Sequence, residues 1–177
     1  SGALSFGDEH PRNLGYIKDK KTLVFIDSPS RMTGFATLKK AIELRDNFLG
    51  GWEKVVVLGW NFAYDISSAI NELNDSKLEV LVIPPDLLDK LKSKATYKKL
   101  VDSGKIRFSS LQYLTIKPIE KINYSDELEE LNISLDNYIL LSPDNIPLDD
   151  SDKKSLQELM ASDPLALIEY WSIDPDF

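Results

Sequence analysis

Residues 23–30, Leu-Val-Phe-Ile-Asp-Ser-Pro-Ser, decide the fold that this sequence predicts. The four apolar residues are too short a run for a helix, and the Asp-Ser-Pro-Ser that follows is typical of a turn. Such a run indicates a strand that is buried on both faces. We therefore predict a strand at residues 23–26 whose carboxyl end opens into a polar loop.

The same unit of strand and helix repeats on the carboxyl side of this stretch. Thr33 and Asp65 are residue types that cap helices, and each precedes apolar residues at helical spacing. The predicted strands cover residues 23–26, 54–59, 78–83 and 106–108, and the predicted helices cover residues 35–49, 66–74, the segment opened by 84–86, and 96–101. Strands and helices that alternate at this spacing favour βαβ units and a parallel sheet.

The pattern changes after Ser110. Residues 111–119 and 128–141 alternate with a period of two, which predicts an antiparallel pair that extends one edge of the sheet. Asp149 and Asp150 predict the start of a helix, Asp163-Pro164 predicts a further helical turn, and residues 168–173 predict a last strand. We expect an irregular lead-in at residues 1–22 and a single α/β domain at residues 23–177. Its expected architecture is a three-layer, Rossmann-like, mainly parallel sheet extended by an antiparallel hairpin.

Composition limits the class of protein. The 177 residues include no Cys, so neither a disulfide framework nor a thiolate zinc site is possible. No apolar run approaches the ~20 residues that span a bilayer. The N-terminus lacks the basic and apolar regions of a signal peptide. These features predict a cytoplasmic protein with no membrane partner.

The charge is uneven along the chain. Residues 126–177 hold 14 Asp and Glu against Lys153 and Lys154, a net charge of −12, so the total of −8 leaves +4 on residues 1–125. Seven cations in the segment 86–107 are the candidates for contact with DNA phosphates. They are Lys90, Lys92, Lys94, Lys98, Lys99, Lys105 and Arg107. The alternative is that they form a solvated helix face.

Polar side chains follow the first two parallel strands. The carboxyl ends of parallel strands meet at one edge of a sheet, where α/β domains bind ligands. Asp27, Ser28, Asn61 and Asp65 therefore predict a small polar pocket, and the alternative is that they serve only as turn and cap residues. Neither loop has the glycines of a phosphate-binding loop or a dinucleotide-binding motif.

Three further functions can be assembled from these loops. Asp27 and Asp65, with Glu79 and a lysine, suggest a metal-dependent nuclease, but Glu79 begins its strand whereas Asp27 follows the end of its own, which separates them. The aromatic side chains of Trp60 and Phe62 are candidates for docking to a partner domain. A small-ligand sensor at the carboxyl edge of the sheet is the third alternative.

Five segments, taken in order, resemble a known family. They are residues 23–29 followed by Thr37-Leu38, residues 55–62 (Val-Val-Val-Leu-Gly-Trp-Asn-Phe), residues 82–88 (Val-Ile-Pro-Pro-Asp-Leu-Leu), residues 101–114, and residues 168–176. Residues 15–177 are similar to the region C-terminal to the catalytic domain in bacterial, adenine-specific, Mod-like DNA methyltransferases of restriction–modification systems.

The resemblance implies an accessory role without catalysis. In that family an Asp/Asn-Pro-Pro-aromatic loop grips the flipped base, whereas Ile83-Pro84-Pro85-Asp86 has neither the polar residue nor the aromatic one. The aromatic-x-Gly-x-Gly loop for S-adenosylmethionine is also missing. The resemblance therefore implies no catalytic residue, no metal and no cofactor in this chain, with S-adenosylmethionine bound by the catalytic domain of the parent enzyme. The implied partners are that catalytic domain, a restriction subunit and duplex DNA.

Overall fold

A computed structural model describes residues 4–17, 20–91, 99, 108–123, 129–141, 143, 146 and 148–174. The chain divides into two compact units, residues 1–110 and residues 111–177, and each is described by itself. The boundary lies at Ser110, where the periodicity of the sequence changes. The sequence alone predicts one α/β domain over residues 23–177.

The first unit alternates strands and helices. Its described strands are β1 (Leu4–Ser5), β2 (Leu14–Ile17), β3 (Thr22–Ile26), β4 (Met32–Thr33), β5 (Lys54–Gly59), β6 (Asn61–Phe62), β7 (Leu78–Val82) and β8 (Ser109–Ser110). Its described helices are α1 (Phe35–Asn47), α2 (Ile66–Leu73) and α3 (Leu87–Leu91), with a 3-10 turn at Phe48–Gly50.

Six of these strands form a mixed sheet in the order β1-β2-β3-β5-β7-β8. The central pairs β3–β5 and β5–β7 are parallel, whereas β1–β2, β2–β3 and β7–β8 are antiparallel. Strands therefore follow one another across the sheet in their order along the chain. The prediction of an α/β fold with a parallel centre is confirmed.

The burial of β3 explains why a short apolar run is enough to form a strand there. Residues 22–25 of β3 are all buried, as expected for a strand covered on both faces. Alternation puts Leu23 and Phe25 on one face and Val24 on the other. Helix α1 packs against the sheet at β5, and its Leu38 and Ala41 are fully buried. Leu87 of α3 belongs to the core cluster that contains Val24.

A buried ion pair ties α1 to the segment before β7. Arg45 is 5% exposed, and its Nη1 donates to both carboxylate oxygens of Asp75, at 2.7 and 2.8 Å. Its Nε donates to the more exposed Asp46 at 2.8 Å. The hydrogen bond from Arg45 holds the pKa of the Asp75 carboxyl below its ordinary value of 3.8. Removal of either side chain would leave the charge of the other without its partner in a low-dielectric site.

Strand β2 replaces, at residues 14–17, the irregular lead-in expected over residues 1–22. Strand β2 pairs with the full length of β3, from Leu14 opposite Phe25 to Ile17 opposite Thr22. The ring of Phe6 also lies 4.7 Å from that of Tyr16 and 5.1 Å from that of Phe48. Because β3 has an open edge on this side, backbone pairing and aromatic packing order a segment whose sequence has no clear period.

The second unit contains small antiparallel sheets. Its described elements are β9 (Gln112–Ile116), β10 (Glu120–Asn123), β11 (Glu129–Asn132), β12 (Leu135–Leu140), α4 (Asp150–Ser162) and a 3-10 turn at Pro164–Leu167. Strand β9 pairs with β12, and β10 pairs with β11. The predicted antiparallel pair exists, but it forms its own two-stranded sheet instead of extending the six-stranded one. Strands β9 and β12 pair with each other. The alternation of the sequence specifies that one face of a strand is covered, but it does not specify which strand lies alongside.

One predicted strand is absent, a second is wrong in its described part, and one predicted helix lies outside the described residues. Residues 168–173 are not a strand, and follow the 3-10 turn that Pro164 opens. Phe108 precedes β8, which pairs antiparallel with β7, so the predicted parallel fourth strand is wrong in its described part. The predicted helix at residues 96–101 lies outside the described residues, apart from Lys99.

The caps differ between helices. The N-cap of α1 is Gly34, not Thr33, because the Thr33 hydroxyl donates to Asp27. Asp65 occupies the N-cap of α2 without a side-chain cap hydrogen bond. Asp149 caps α4 as predicted and accepts from the Asp152 N–H at 2.8 Å. None of the helices in the described ranges has the length and apolar character needed to cross a lipid bilayer.

Candidate functional site at the carboxyl edge of the sheet

Asp27 is the first residue after β3, and its carboxylate is buried in the loop that follows. Its backbone N–H donates to the Leu58 carbonyl at 2.9 Å, which continues the ladder beyond the strand. Oδ1 accepts from the Ser28 N–H at 2.8 Å, and Oδ2 accepts from the Thr33 hydroxyl at 2.7 Å. Both oxygens of a side chain that is 8% exposed are therefore engaged within the loop. Asp27 fixes the conformation of residues 27–33.

Asn61 secures the same loop from the neighbouring strand. Its Nδ2 donates to the Pro29 carbonyl at 3.1 Å. Strands β4 and β6 pair in parallel, with Met32 opposite Asn61 and Thr33 opposite Phe62. These contacts join the two loops that follow β3 and β5. Turn chemistry thus accounts for the polar character of Asn61.

A cavity of about 560 Å³ opens at the carboxyl end of β3. Asp27 and Ser28 line it, whereas Asn61 and Asp65 do not. The loop, the first two turns of α1 and the segment before β2 enclose it. Three cationic side chains face it from these three segments. They are Arg12, Arg31 and Lys40.

The three cations of this cavity were not identified from the sequence. The sequence alone could have indicated Arg31, because it lies in the same loop as the pocket candidate Ser28. Lys40 lies one turn beyond the α1 residues Ala36 and Thr37 that line the cavity. Arg12 precedes β2, and only the pairing of β2 with β3 brings it to this edge. No local pattern around Arg12 signals that long-range pairing.

The aromatic residues of the loop after β5 have different surroundings. Trp60 is half-buried and packs against the core cluster that includes Leu58 and Leu87. The Phe62 ring lies over Gly59, where a Cβ atom would come within 2.5 Å of the ring. Tyr64 is fully exposed. Of these aromatic side chains, Tyr64 therefore offers the most surface to a partner.

The carboxylates considered for a metal site are held apart. Through the register of β3, β5 and β7, Glu79 lies level with Val24, three residues before Asp27. At ~3.3 Å per residue this is roughly 10 Å along the strand direction, besides the two-strand separation. Glu79 forms an ion pair with Lys54. In the ranges that the structure describes, three or more His, Asp or Glu side chains nowhere assemble into a group that could hold a metal.

Most of the predicted DNA-contact residues lie outside the described residues. These are Lys92, Lys94, Lys98, Lys105 and Arg107, and the side chain of Lys90. Lys99 is described and is exposed. The segment therefore remains a candidate on its charge alone.

Comparison with known proteins returned no match from protein-family models, from curated proteins or from solved structures.

Proposed function

We propose that this chain is a non-catalytic accessory domain of a bacterial DNA adenine methyltransferase, with a three-layer, Rossmann-like first unit. The resemblance of its five ordered segments to the region after the catalytic domain in Mod-like enzymes suggests this role. The observation that carries the non-catalytic part is the hydrogen bonding at the carboxyl edge of the sheet. Both Asp27 oxygens and the Asn61 amide are used to hold loops together.

The accessory role consists of contact with DNA near the catalytic domain. Residues 1–125 carry +4 although the whole chain carries −8, and seven cations fall within residues 86–107. Lysine and arginine side chains that neutralise DNA phosphates release counterions, so such binding weakens steeply as salt rises. This dependence gives the proposal a quantitative test.

The test measures the affinity of the 177-residue chain for duplex DNA over a series of salt concentrations. We expect Lys98→Glu/Lys99→Glu to weaken binding and to lower the salt slope by about two, because two DNA phosphates are no longer neutralised. Lys153→Glu/Lys154→Glu is the matched control, because it reverses two adjacent lysines within the acidic segment 126–177. An equal weakening in the two variants would contradict a DNA contact in the segment 86–107.

A separate measurement tests the absence of catalysis. Isothermal titration of the chain with S-adenosylmethionine should show no stoichiometric uptake, since the aromatic-x-Gly-x-Gly loop is missing. Methylation of DNA by the chain alone would overturn the non-catalytic role.

Docking to the catalytic domain or a restriction subunit is the second candidate role. The fully exposed Tyr64 ring favours it, because exposed aromatic rings are enriched at protein interfaces. If docking is the role, Tyr64→Ala should weaken assembly with a separately expressed catalytic domain without lowering the stability of the chain. Trp60→Ala should lower stability, since Trp60 packs against the core.

A further inference from the structure

We infer that the cavity at the carboxyl end of β3 binds a small organic phosphomonoester whose phosphate is held by Arg12, Arg31 and Lys40. This inference is independent of the accessory role proposed above. It names a ligand class for a cavity whose lining, in the described part of the chain, comes from residues 12–40.

The cationic side chains that line the cavity favour an anionic ligand. Arg12, Arg31 and Lys40 come from three separate segments, yet all line one cavity in a chain whose net charge is −8. Among the described residues, none of the three forms an ion pair. All three side chains are exposed, so they are available to an anion that enters the cavity. The arrangement therefore favours a multiply charged anion.

Asp27, the one carboxylate among the described lining residues, does not cancel this charge. Asp27 directs its oxygens to the Ser28 N–H and the Thr33 hydroxyl, and its side chain is largely buried. Three positive charges against one negative charge leave the lining with a net charge of +2. A phosphomonoester dianion matches that charge. Arginine forks bind the oxygens of phosphates and carboxylates in pairs. A phosphomonoester offers three terminal oxygens to two guanidinium groups and an ammonium group, whereas a carboxylate offers two.

The size and the wall of the cavity are the second argument. Its volume of about 560 Å³ falls in the range of roughly 300–1,000 Å³ that is typical of small-molecule sites. Inorganic phosphate would fill only a small part of it. Ile26, which is 37% exposed, offers apolar surface in the lining, and the buried Phe25 lies next to it in the strand. An apolar group attached to the phosphate would cover that surface.

Titration calorimetry of the chain tests the inference with phenyl phosphate as the probe. Phenyl phosphate has both the dianion and an apolar body, whereas inorganic phosphate has only the charge and phenol only the apolar ring. We expect phenyl phosphate to bind more tightly than inorganic phosphate, and phenol to show no measurable binding. Equal affinities for phenol and phenyl phosphate would overturn the role of the three cations. No binding of phenyl phosphate at millimolar concentration would overturn the site itself.

Single substitutions locate the phosphate. Lys40→Glu and Arg31→Gln should each weaken phenyl phosphate binding by about ten-fold or more, the usual effect of removing a hydrogen bond between charged groups. Lys39→Glu is the control, because Lys39 is also exposed on α1 but does not line the cavity. An equal weakening in Lys39→Glu would show a general effect of surface charge and would contradict the site.

A competition arm separates this inference from DNA contact. The variant Lys98→Glu/Lys99→Glu should bind phenyl phosphate as the unchanged chain does, whatever its affinity for DNA. Duplex DNA should not displace phenyl phosphate from that variant. Displacement would identify the cavity as a contact for backbone phosphodiesters and would overturn the assignment to a small molecule.

Discussion

The hydroxyl of Thr33 donates a hydrogen bond of 2.7 Å to Asp27 Oδ2, and neither residue is more than 8% exposed. This bond closes the loop between β3 and α1 and places Ser28 and Arg31 at the mouth of the cavity. A buried carboxylate needs such donors because burial removes the water molecules that would otherwise hydrate its charge. The candidate site therefore depends on a bond that is not itself part of ligand binding.

Thr33→Val keeps the shape of the side chain and removes this donor. We expect the free energy of unfolding to fall by about 1.5–3 kcal/mol, the usual value for a hydrogen bond to a charged group. Urea unfolding measures the change. Thr115→Val is the control, because the Thr115 hydroxyl has only longer contacts, 3.2 Å to the Asn137 carbonyl and 3.3 Å to the exposed carboxylate of Asp136. A destabilisation in Thr115→Val as large as that in Thr33→Val would contradict the importance of the buried bond.

The Arg45–Asp75 pair makes a second prediction about stability. Asp75→Ala leaves the guanidinium of Arg45, which is 5% exposed, without its main partner, and we expect the free energy of unfolding to fall by about 3 kcal/mol. Asp46→Ala removes the other carboxylate that Arg45 contacts, which is 53% exposed, so the expected decrease is below about 1 kcal/mol. Chemical unfolding of both variants tests the difference. Similar decreases would show that burial does not strengthen the pair with Asp75.

The same pair predicts how stability depends on pH. Arg45 lowers the pKa of the Asp75 carboxyl in the folded state from its ordinary value of 3.8. The unfolded chain therefore takes up the proton first, so this contribution is present above pH 3.8 and disappears as pH falls through the lower, folded pKa. The free energy of unfolding is measured from neutral pH down to well below pH 3.8. We expect it to fall less steeply with falling pH in Asp75→Asn than in the unchanged chain. Identical acid slopes would contradict this linkage.

Gly59 supplies a steric prediction. A Cβ at this position would lie 2.5 Å from Phe62 Cζ and 2.8 Å from the Thr33 hydroxyl. Gly59→Ala should therefore destabilise the chain by about 1–3 kcal/mol, the usual cost of overpacking. Thermal unfolding measures it. In a Phe62→Ala background the cost of Gly59→Ala should shrink, since the nearest atoms are gone. An unchanged cost would assign the effect to the Thr33 hydroxyl or to the backbone, and not to the ring.

Local sequence signals predicted the centre of the fold well. Strands β3, β5 and β7 and helices α1 and α2 follow from apolar runs bounded by turn residues and from helical spacing. These signals are local, since they depend on whether neighbouring side chains share a covered face. Asp149 and Pro164 likewise begin helical segments where the sequence places them.

Long-range pairing was harder to predict from the sequence. Residues 14–17 carry no strict alternation, yet β2 pairs along β3 because the edge of β3 offers it backbone partners. The reverse holds for residues 168–173, four of which are apolar or aromatic, because this segment forms no strand. The backbone groups that pair two strands are the same in nearly every residue type, so the side-chain sequence specifies a partner only weakly.

What the sequence determined by itself is the α/β alternation, the missing motifs for S-adenosylmethionine and base flipping, and the uneven charge. What only the tertiary structure decided is which polar residues meet. It joined Asp27 to Thr33 inside the loop and brought Arg12, Arg31 and Lys40 to one cavity. The physical reason is that covalent order and periodicity fix local conformation, whereas the meeting of distant side chains depends on strand pairing and packing across the whole unit.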